Sequence, residues 1–251
     1  MRVVTWNVNS LNARLARVLE WLEANAPDVA LLQETKLREA AFPTEAFAAL
    51  GYEGAHVGQG QWNGVAVLSR VGIADVERGL SDGEARLVGA TCGGLRVYSC
   101  YVPNGRALDD PHYAYKLRWL DELSDRLARR DRSGPLLVAG DFNVAPADLD
   151  VWDPAALAGL THVSEPERAA LERLEATGLV DVVRALHPDE PCFTWWDYRG
   201  GAFHRGWGMR IDLVYVDADH ATAVRAAYVD RDARKGVKPS DHAPVVVDLD
   251  L

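Results

Sequence analysis

Apolar residues along this chain fall into short runs of strand length and into a few longer segments with helical spacing. Residues 2–6 form a largely apolar run that ends at Asn7, and residues 15–22 carry leucine and valine at helical spacing. A second apolar run, at residues 29–33, ends at Glu34. This order predicts a strand, a helix and a strand, which favours a parallel pair joined by a crossover.

The middle of the chain has the character of an antiparallel sheet. Gly93-Gly94 separates strand-like runs at residues 86–92 and 95–102, and two glycines in that position are typical of a tight hairpin. Residues 111–130 have leucines on one helical face. Strands and helices interleave without strict βαβ order, so we expect mixed β-sheets covered by helices in one domain, residues 1–251. Further strands are predicted at residues 52–57, 64–69, 72–78, 136–139, 211–216, 223–229 and 245–249, and further helices at residues 43–50 and 165–176.

Charge restricts the kind of partner. The 251 residues carry a formal net charge of −10 and are 48% hydrophobic, which is enough for one large core. This acidity argues against a protein that binds nucleic acid over its whole surface. Local binding stays open, because residues 231–238 form one basic patch. A second basic patch is predicted from Arg199, His204, Arg205 and Arg210.

Cysteine content and hydropathy indicate the compartment. Cys92, Cys100 and Cys192 are an odd number without close pairs or zinc-ligand spacing, so we expect reduced, mostly buried thiols. The chain has no run of the roughly 18 apolar residues that a membrane span needs. It opens on a strand-like run rather than on a leader peptide. We therefore expect a cytoplasmic protein without a membrane span.

Residues 136–143 combine a buried strand with candidate chemistry. Four apolar residues run into Gly140, which allows a sharp turn or a close approach, and Asp141 and Asn143 follow two positions apart. If the extended geometry persists, these two side chains point the same way from a rigid base. The alternative is a strand that runs into an Asx turn, since Asp and Asn are ordinary turn residues. Taken alone, this segment favours the turn.

Polar side chains also lie at the ends of other predicted strands. Asn7 and Glu34 follow the first two strands, Asp212 lies in the run at residues 211–216, and Asp241-His242 precedes the last strand. Because polar groups at strand ends gather at one edge of an α/β sheet, we expect one common site. Oxygen ligands with one imidazole suit Mg²⁺ or Mn²⁺ rather than structural zinc. Hydrolysis of a phosphate ester fits, with a carboxylate or a histidine taking a proton from water.

Seven short motifs occur in the same order as in one known family, and together they are a strong signal. They are Thr5-Trp6-Asn7-Val8-Asn9, Leu32-Gln33-Glu34-Thr35-Lys36, Trp62-Asn63-Gly64-Val65-Ala66, Tyr101-Val102-Pro103-Asn104-Gly105, Gly140-Asp141-Phe142-Asn143-Val144-Ala145-Pro146, Arg210-Ile211-Asp212-Leu213 and Ser240-Asp241-His242-Ala243-Pro244. On these motifs the chain resembles the exonuclease III family of apurinic/apyrimidinic endonucleases, within the endonuclease/exonuclease/phosphatase superfamily. The resemblance implies a four-layer α/β sandwich, in which two mixed β-sheets pack together and are flanked by helices.

The resemblance also implies roles for the residues at the strand ends. Glu34 would be the main metal carboxylate, with Asn7 near it. Asp141 would activate or orient the attacking water, and Asn143 would hold the attacked phosphate. Asp241 would lie at a second metal or solvent position. All five are candidate ligands of Mg²⁺, with Mn²⁺ as the alternative ion.

The remaining implied roles centre on a histidine. His242 would face a phosphate oxygen and is the sixth candidate metal ligand, and Asp212 would orient it and stabilise its charge. Tyr101 would hydrogen-bond the phosphate or assist the leaving group. The sequence leaves open whether Asp141 or His242 is the general base.

Other residues are candidates for contacts with the substrate. In the family an apolar wall receives a flipped-out abasic sugar, and Trp195, Met209 and Ile211 are the matching positions here. Such a pocket accepts a bare sugar and excludes a base by size. The alternative for Trp195 is a core aromatic.

The loop at residues 206–209 departs from the family's shorter sequence, which could change the balance between abasic-site cleavage and 3′ trimming. Candidate phosphate contacts are Asn104, Arg106 and Lys116.

The function that the resemblance implies is a Mg²⁺-dependent DNA-repair nuclease. It would cleave 5′ of abasic sites in double-stranded DNA, and it would act as a 3′-to-5′ exonuclease and 3′-phosphatase at blocked 3′ ends. We expect a monomer that is nucleoid-associated when bound to DNA. One alternative is the same chemistry on RNA, an inositol phosphate or a lipid. Another is a catalytically silent protein that binds abasic DNA.

Overall fold

Two six-stranded β-sheets form the centre of the computed structural model, which describes residues 1–251. The strands are β1 (Arg2–Asn7), β2 (Val29–Gln33), β3 (Glu53–Val57), β4 (Val65–Ser69), β5 (Ala74–Arg78), β6 (Leu87–Cys92), β7 (Leu95–Tyr101), β8 (Leu136–Asp141), β9 (Leu179–Asp181), β10 (Trp195–Trp196), β11 (Gly208–Met209), β12 (Asp212–Asp217), β13 (Val224–Val229) and β14 (Val245–Leu249). The α-helices are α1 (Leu11–Asn25), α2 (Thr44–Ala48), α3 (Pro111–Ala128), α4 (Pro154–Leu157), α5 (Glu165–Glu175), α6 (Val182–Leu186) and α7 (Ala202–Arg205).

The order of the strands makes both large sheets mixed, as predicted. The first sheet has the order β13-β14-β1-β2-β4-β3, the second has the order β5-β6-β7-β8-β12-β9, and β10 and β11 form a separate pair. β1 and β2 are parallel, which confirms the predicted crossover. β7 and β8 are also parallel, whereas β6 and β7 form the predicted antiparallel hairpin at Gly93-Gly94.

Alternation of side chains along the strands explains the layers. Val3 faces a core of 22 buried residues between the sheets, whereas Val4 on the same strand packs into a cluster with α1. In β8, Leu137 points between the sheets and Val138 packs with residues of α3 and α5. Because both faces of these strands are covered, they read as continuous apolar runs. The four-layer α/β sandwich is confirmed.

Local capping sets where the longest helix begins. Asp110 accepts a hydrogen bond from the backbone N–H of His112, and Pro111 occupies the first turn of α3, where a missing N–H costs nothing. The short elements β9 and α6 carry too few residues to show a hydrophobic period, and the sequence did not predict them.

The structure bears on the expected state of the cysteines and on the expected absence of a membrane-spanning helix. Cys92 and Cys100 are buried, Cys192 is half-buried, and all three are free thiols, as expected. None of the helices combines the length and the hydropathy needed to cross a lipid bilayer.

Candidate active site

The strand ends meet at one edge of the paired sheets. β1 and β2 are parallel, so Asn7 and the region of Glu34 lie at the same edge of the first sheet. In the second sheet β12 runs antiparallel to β8, which places Asp212 directly opposite Asp141. His242 lies just before β14, which is antiparallel to β1 and therefore starts at this edge. The predicted convergence of these five residues is observed.

Asn7 connects the two sheets through its side-chain amide. Its Nδ2 donates one hydrogen bond to Glu34 Oε1 at 2.8 Å and another to Asp141 Oδ2 at 2.9 Å. Asn7 is fully buried, so this amide is a fixed element of the site. Lys36, in the same motif as Glu34, binds the other carboxylate oxygen of Glu34 at 2.8 Å.

A histidine lies between two buried carboxylates. His242 Nδ1 lies 2.8 Å from Asp212 Oδ2, and His242 Nε2 lies 3.8 Å from Asp141 Oδ2. Burial alone would lower the pKa of His242, but Asp212 and Asp141 raise it above its usual value. Burial raises the pKa of Asp141 well above its usual range, although His242 offsets part of that rise. The arrangement favours an imidazolium beside a carboxyl group that can gain or lose a proton near neutral pH.

Backbone geometry after β8 differs from the extended continuation that the sequence left open. The strand ends at Asp141, and Asn143 has a left-handed φ of 52°. The Asn143 N–H donates to Asp141 Oδ1 at 2.9 Å, which is an Asx turn. The extended alternative is therefore wrong and the turn is correct. Asn143 Nδ2 donates to the carbonyl of Val102 at 3.0 Å, which leaves its second N–H uncommitted.

Gly140 allows β8 to approach its neighbour in the sheet. A Cβ atom at this position would lie 1.9 Å from the carbonyl oxygen of Cys100, and the φ of Gly140 is 151°. Only glycine fits there, so the rigid mounting of Asp141 depends on this residue.

Tyr101 ends β7 opposite Asp141. The Arg86 guanidinium lies 4.9 Å from the centre of its ring. Burial raises the pKa of the Tyr101 phenol well above its usual value, and Glu34 and Asp141 add to the rise. The phenol therefore stays protonated and can only donate to an anion placed at this edge.

The donor set fits a hard cation. Carboxylate oxygens of Glu34 and Asp141 lie within 4.8 Å of each other and of an imidazole nitrogen of His242, and the Asn7 amide joins the two carboxylates. A protonated His242 has no lone pair for a metal, so the carboxylates are the ligands that this arrangement favours. Oxygen donors of this kind suit Mg²⁺ or Mn²⁺. Asp241 is not in this group, and its oxygens accept hydrogen bonds from Asn9 Nδ2 at 2.9 Å and from Trp195 Nε1 at 3.1 Å.

Comparison with known proteins agrees with this geometry. The sequence profile of the endonuclease/exonuclease/phosphatase family matches residues 4–242. The exodeoxyribonuclease III of Haemophilus influenzae is 33% identical over 265 residues, which cover 98% of each chain. The chain belongs to the endonuclease/exonuclease/phosphatase family.

Solved structures of other family members superpose over the whole chain. The 3′-5′ exonuclease NExo of Neisseria meningitidis is 41% identical with a TM-score of 0.97, and both chains are covered completely. Another structure, described as the 3′ phosphatase NExo, holds a product DNA hairpin. An AP endonuclease from Archaeoglobus fulgidus is 38% identical with a TM-score of 0.97, again over 100% of both chains.

The apolar residues predicted to receive a sugar lie together in this family member. β10 pairs with β11, which places Trp195 opposite Met209, and Ile211 belongs to the same cluster. Met209 is 6% exposed and Ile211 is 2% exposed, whereas Trp195 is half-buried. The surface available to a substrate is therefore mainly that of Trp195, and the role of the cluster stays a prediction.

Two candidate phosphate contacts are accessible and one is not. Asn104 and Arg106 are exposed, and Asn104 Nδ2 donates to Asn143 Oδ1 at 3.1 Å. Lys116 is completely buried and forms an ion pair with Glu167. A direct phosphate contact by Lys116 is therefore wrong, because no part of its ammonium group reaches the surface.

The predicted basic patches are smaller than the sequence suggests. Arg210 is fully buried and pairs with Asp150 and Asp181 rather than facing solvent. Arg234 is also buried, and its guanidinium donates to the carbonyls of Ser240 and Trp196. These arginines hold loops together, so they do not contribute to a surface that binds nucleic acid.

Sequence reasoning missed one residue beside the site. The ring of His162 contacts the carbonyl oxygen of Asn143 through Nδ1, and its φ of 79° is left-handed. Burial, with Lys116, lowers the pKa of His162, so the ring is neutral and carries its proton on Nδ1. No motif marks this position, because it comes from a loop 19 residues after Asn143.

Proposed function

We propose that this protein is a DNA-repair nuclease that hydrolyses phosphodiester and phosphomonoester bonds in duplex DNA and requires a divalent cation. The observation that carries the proposal is the buried cluster at the sheet edge. There, Asn7 bridges Glu34 and Asp141, and His242 lies between Asp141 and Asp212. Such a cluster combines a site for a hard cation, a cationic donor and a carboxylate that can accept a proton.

Glu34 and Asp141 would hold the cation, which we propose to be Mg²⁺ with Mn²⁺ as a substitute, and the Asn7 amide would fix both carboxylates by donating to them. When bound, the ion supplies charge neutralisation at the phosphate oxygens. Asp241 lies outside this group of ligand atoms, and we propose it for a second metal or solvent position, where Asn9 and Trp195 hold its carboxylate.

Each neighbouring side chain has a distinct part in the reaction. The imidazolium of His242, oriented by Asp212, donates to a phosphate oxygen, and the free N–H of Asn143 donates to another. Asp141 orients the attacking water and takes its proton, since it is a buried carboxylate that lies beside the cation site and next to His242. His242 is unsuited to that step, because two flanking carboxylates favour its protonated form. The Tyr101 phenol donates to the phosphate or to the leaving oxygen.

The substrates follow from the chemistry and from the relatives. Hydrolysis 5′ of an abasic site, removal of a 3′ nucleotide and removal of a 3′ phosphate all break a phosphorus–oxygen bond and leave a 3′-hydroxyl. Similarity to a 3′-5′ exonuclease, a 3′ phosphatase and an AP endonuclease supports all three activities. We propose that Trp195, Met209 and Ile211 contact the sugar and that Asn104 and Arg106 contact phosphates, in a protein that acts as a monomer.

The test uses three labelled duplexes, which carry an internal abasic site, a recessed 3′-hydroxyl end and a 3′-phosphate end. We expect Mg²⁺-dependent products that end in a 3′-hydroxyl and no product in EDTA. Asp141→Asn should reduce turnover by at least about 10²-fold. Asp125→Asn, an exposed change on α3, is the control and should be fully active.

Two outcomes would contradict this proposal. Turnover of RNA, an inositol phosphate or a lipid with none on the three duplexes would assign the site to another phosphodiester. Binding of abasic DNA without cleavage under any divalent cation would make the protein a binding module. The ratio of products on the three duplexes measures the balance of the activities.

A further inference from the structure

A buried lysine lies directly behind the phosphate-binding asparagine. Lys116 on α3 is 0% exposed, and its ammonium group donates to the Glu167 carboxylate, to the Asn143 carbonyl at 2.6 Å and to the Asn104 carbonyl at 3.3 Å. An ammonium group has three N–H donors, so each has an acceptor. Lys116 therefore connects a helix, the Asx turn after β8 and the loop after β7.

Glu167 organises the loop that faces Lys116. Besides Lys116, its carboxylate accepts from Thr161 Oγ1 at 2.8 Å and from the backbone N–H of His162 at 3.0 Å. It also accepts from the backbone N–H of Ser164 at 3.1 Å and from Ser164 Oγ at 2.6 Å. One buried carboxylate thus fixes the turn that carries His162.

Two residues that hydrogen-bond to Glu167 also contact the same backbone carbonyl oxygen. Lys116 Nζ and His162 Nδ1 both contact the carbonyl oxygen of Asn143. Asn143 has a left-handed φ of 52°, which is uncommon for a residue other than glycine and needs support from its surroundings. The Asn143 carbonyl is bound by Lys116 and His162, and the Asn143 N–H is bound to Asp141. These contacts fix the backbone of Asn143 and so the direction in which its side chain leaves the backbone.

We propose that Lys116 and Glu167 are positioning residues, which clamp the Asn143 carbonyl and thereby aim the Asn143 amide at the phosphate that is attacked. This inference rests on the proposed function, in which Asn143 binds that phosphate. It replaces the expected surface contact of Lys116 with an action through Asn143. Neither residue touches the substrate.

The energetics of buried charges argue for a role beyond stability. Taking two charges out of water is costly, and apolar residues of similar volume often stabilise a core equally well. Lys116 and Glu167 are both 0% exposed, so this cost applies in full. The hydrogen bonds of the pair are aimed at the Asx turn and at the loop of His162. An apolar pair could join α3 to α5 but could not hold the Asn143 carbonyl.

The decisive variant removes both charges. Lys116→Met alone leaves the Glu167 charge buried without a partner and should lower Tm by roughly 10 °C. Lys116→Met with Glu167→Gln removes that charge and keeps one of the two acceptor oxygens for the loop, and its Tm should return to within about 5 °C of wild type. We expect kcat of the double variant on the abasic or 3′-phosphate duplex to stay about 10- to 100-fold low, with KM changed less than about threefold.

The matched control is a second ion pair between the same two helices. Arg173 on α5 binds Asp121 on α3 at 2.6 Å, and both side chains are about half-exposed. Arg173→Gln with Asp121→Asn should keep full kcat.

In an Asn143→Gly background, which tolerates the left-handed backbone, the Lys116 and Glu167 changes should lower kcat no further, because no side chain remains to be aimed.

A readout without turnover separates this inference from the proposed function. The side-chain NH₂ signals of Asn143, identified in asparagine-labelled protein by their loss in Asn143→Gly, should shift in the double variant and not in the control pair. Recovery of kcat together with Tm, or unshifted Asn143 signals, would overturn the clamp. An inactive wild type whose Asn143 signals do shift would overturn the proposed function and leave the clamp standing.

Discussion

At the scale of single residues, the site depends on pairs whose partners are distant in the sequence. Asp212 and His242 are 30 positions apart, and Asn7 and Asp141 are 134 positions apart, yet each pair forms a direct hydrogen bond. The motifs supplied the residue types. The distances of 2.8 and 2.9 Å come from the folded chain. The motifs left the general base open, and we propose Asp141 for that role because His242 lies between two carboxylates.

The pairing of Asp212 with His242 gives a prediction for catalysis. Asp212→Asn removes the charge that orients the imidazole and stabilises its protonated form. We expect kcat to fall by about 10²- to 10⁴-fold with little change in KM, measured with the cleavage assay on duplex DNA. Asp217→Asn is the control, since Asp217 pairs with His220 at the other end of β12. Equal losses in both variants would contradict the assignment.

A second histidine gives a prediction for stability against pH. Burial, with a contribution from Arg78, lowers the pKa of His56 to about 4, whereas an unfolded chain has about 6.5. Between these values the unfolded state binds a proton that the folded state does not, so stability falls as the pH falls.

Removing His56 should therefore make the free energy of unfolding decrease less as the pH falls. In urea unfolding between pH 7 and pH 4.5, His56→Gln should lose less stability than wild type, by up to roughly 2 kcal/mol. His204→Gln, a change at an exposed histidine, should follow the wild-type curve. Parallel curves for wild type and His56→Gln would contradict the prediction.

At the scale of elements, the buried strands were predicted well because both of their faces are apolar. β2 and β14 have the predicted bounds, and β1 and β4 lie within a residue of theirs. The segment after β8 was harder. Its direction depends on the contacts of Asn143 with Val102 and Lys116, which come from other parts of the chain.

Gly140 gives a prediction for β8. Gly140→Ala would place a methyl carbon 1.9 Å from the Cys100 carbonyl oxygen, in a backbone conformation that alanine avoids. We expect a loss of roughly 3 kcal/mol or more in the free energy of unfolding, together with reduced kcat. Gly134→Ala, before the same strand, meets no atom within 4 Å and should be close to neutral. Urea unfolding compares the stabilities of the two variants. Similar stabilities would contradict the prediction, because they would show that β8 can move away from the Cys100 carbonyl without a large cost.

At the scale of the whole molecule, the two sheets share one core. The 22-residue cluster takes residues from both sheets, so neither sheet buries its inner face without the other. On this ground we propose that residues 1–251 form a single domain. The net charge of −10 goes with a reduced cationic surface, because Arg210 is buried in ion pairs and Arg234 is buried against backbone carbonyls.

This charge distribution predicts a small footprint on DNA. In EDTA, log Kd for a duplex should rise with log salt concentration with a slope of about 3 to 5, which corresponds to a few phosphate contacts. Arg106→Gln should reduce the slope by about 1. Arg225→Gln, an exposed arginine on β13 that pairs with Asp250, should leave it unchanged. A slope near zero, or equal effects of both variants, would contradict the predicted contact surface.

The sequence by itself determined the family, the layers and the types of residue at the site, because apolar runs and short motifs are local properties of the chain. It also indicated that polar groups follow the strands. Tertiary structure decided which of these groups touch. It buried Lys116 and Arg210, turned Asn143 into a left-handed conformation, and brought in His162 from a loop and Glu167 from the first turn of α5, neither of which carries a motif. Burial and hydrogen-bond partners depend on what the rest of the chain places around a residue, and no local pattern encodes that.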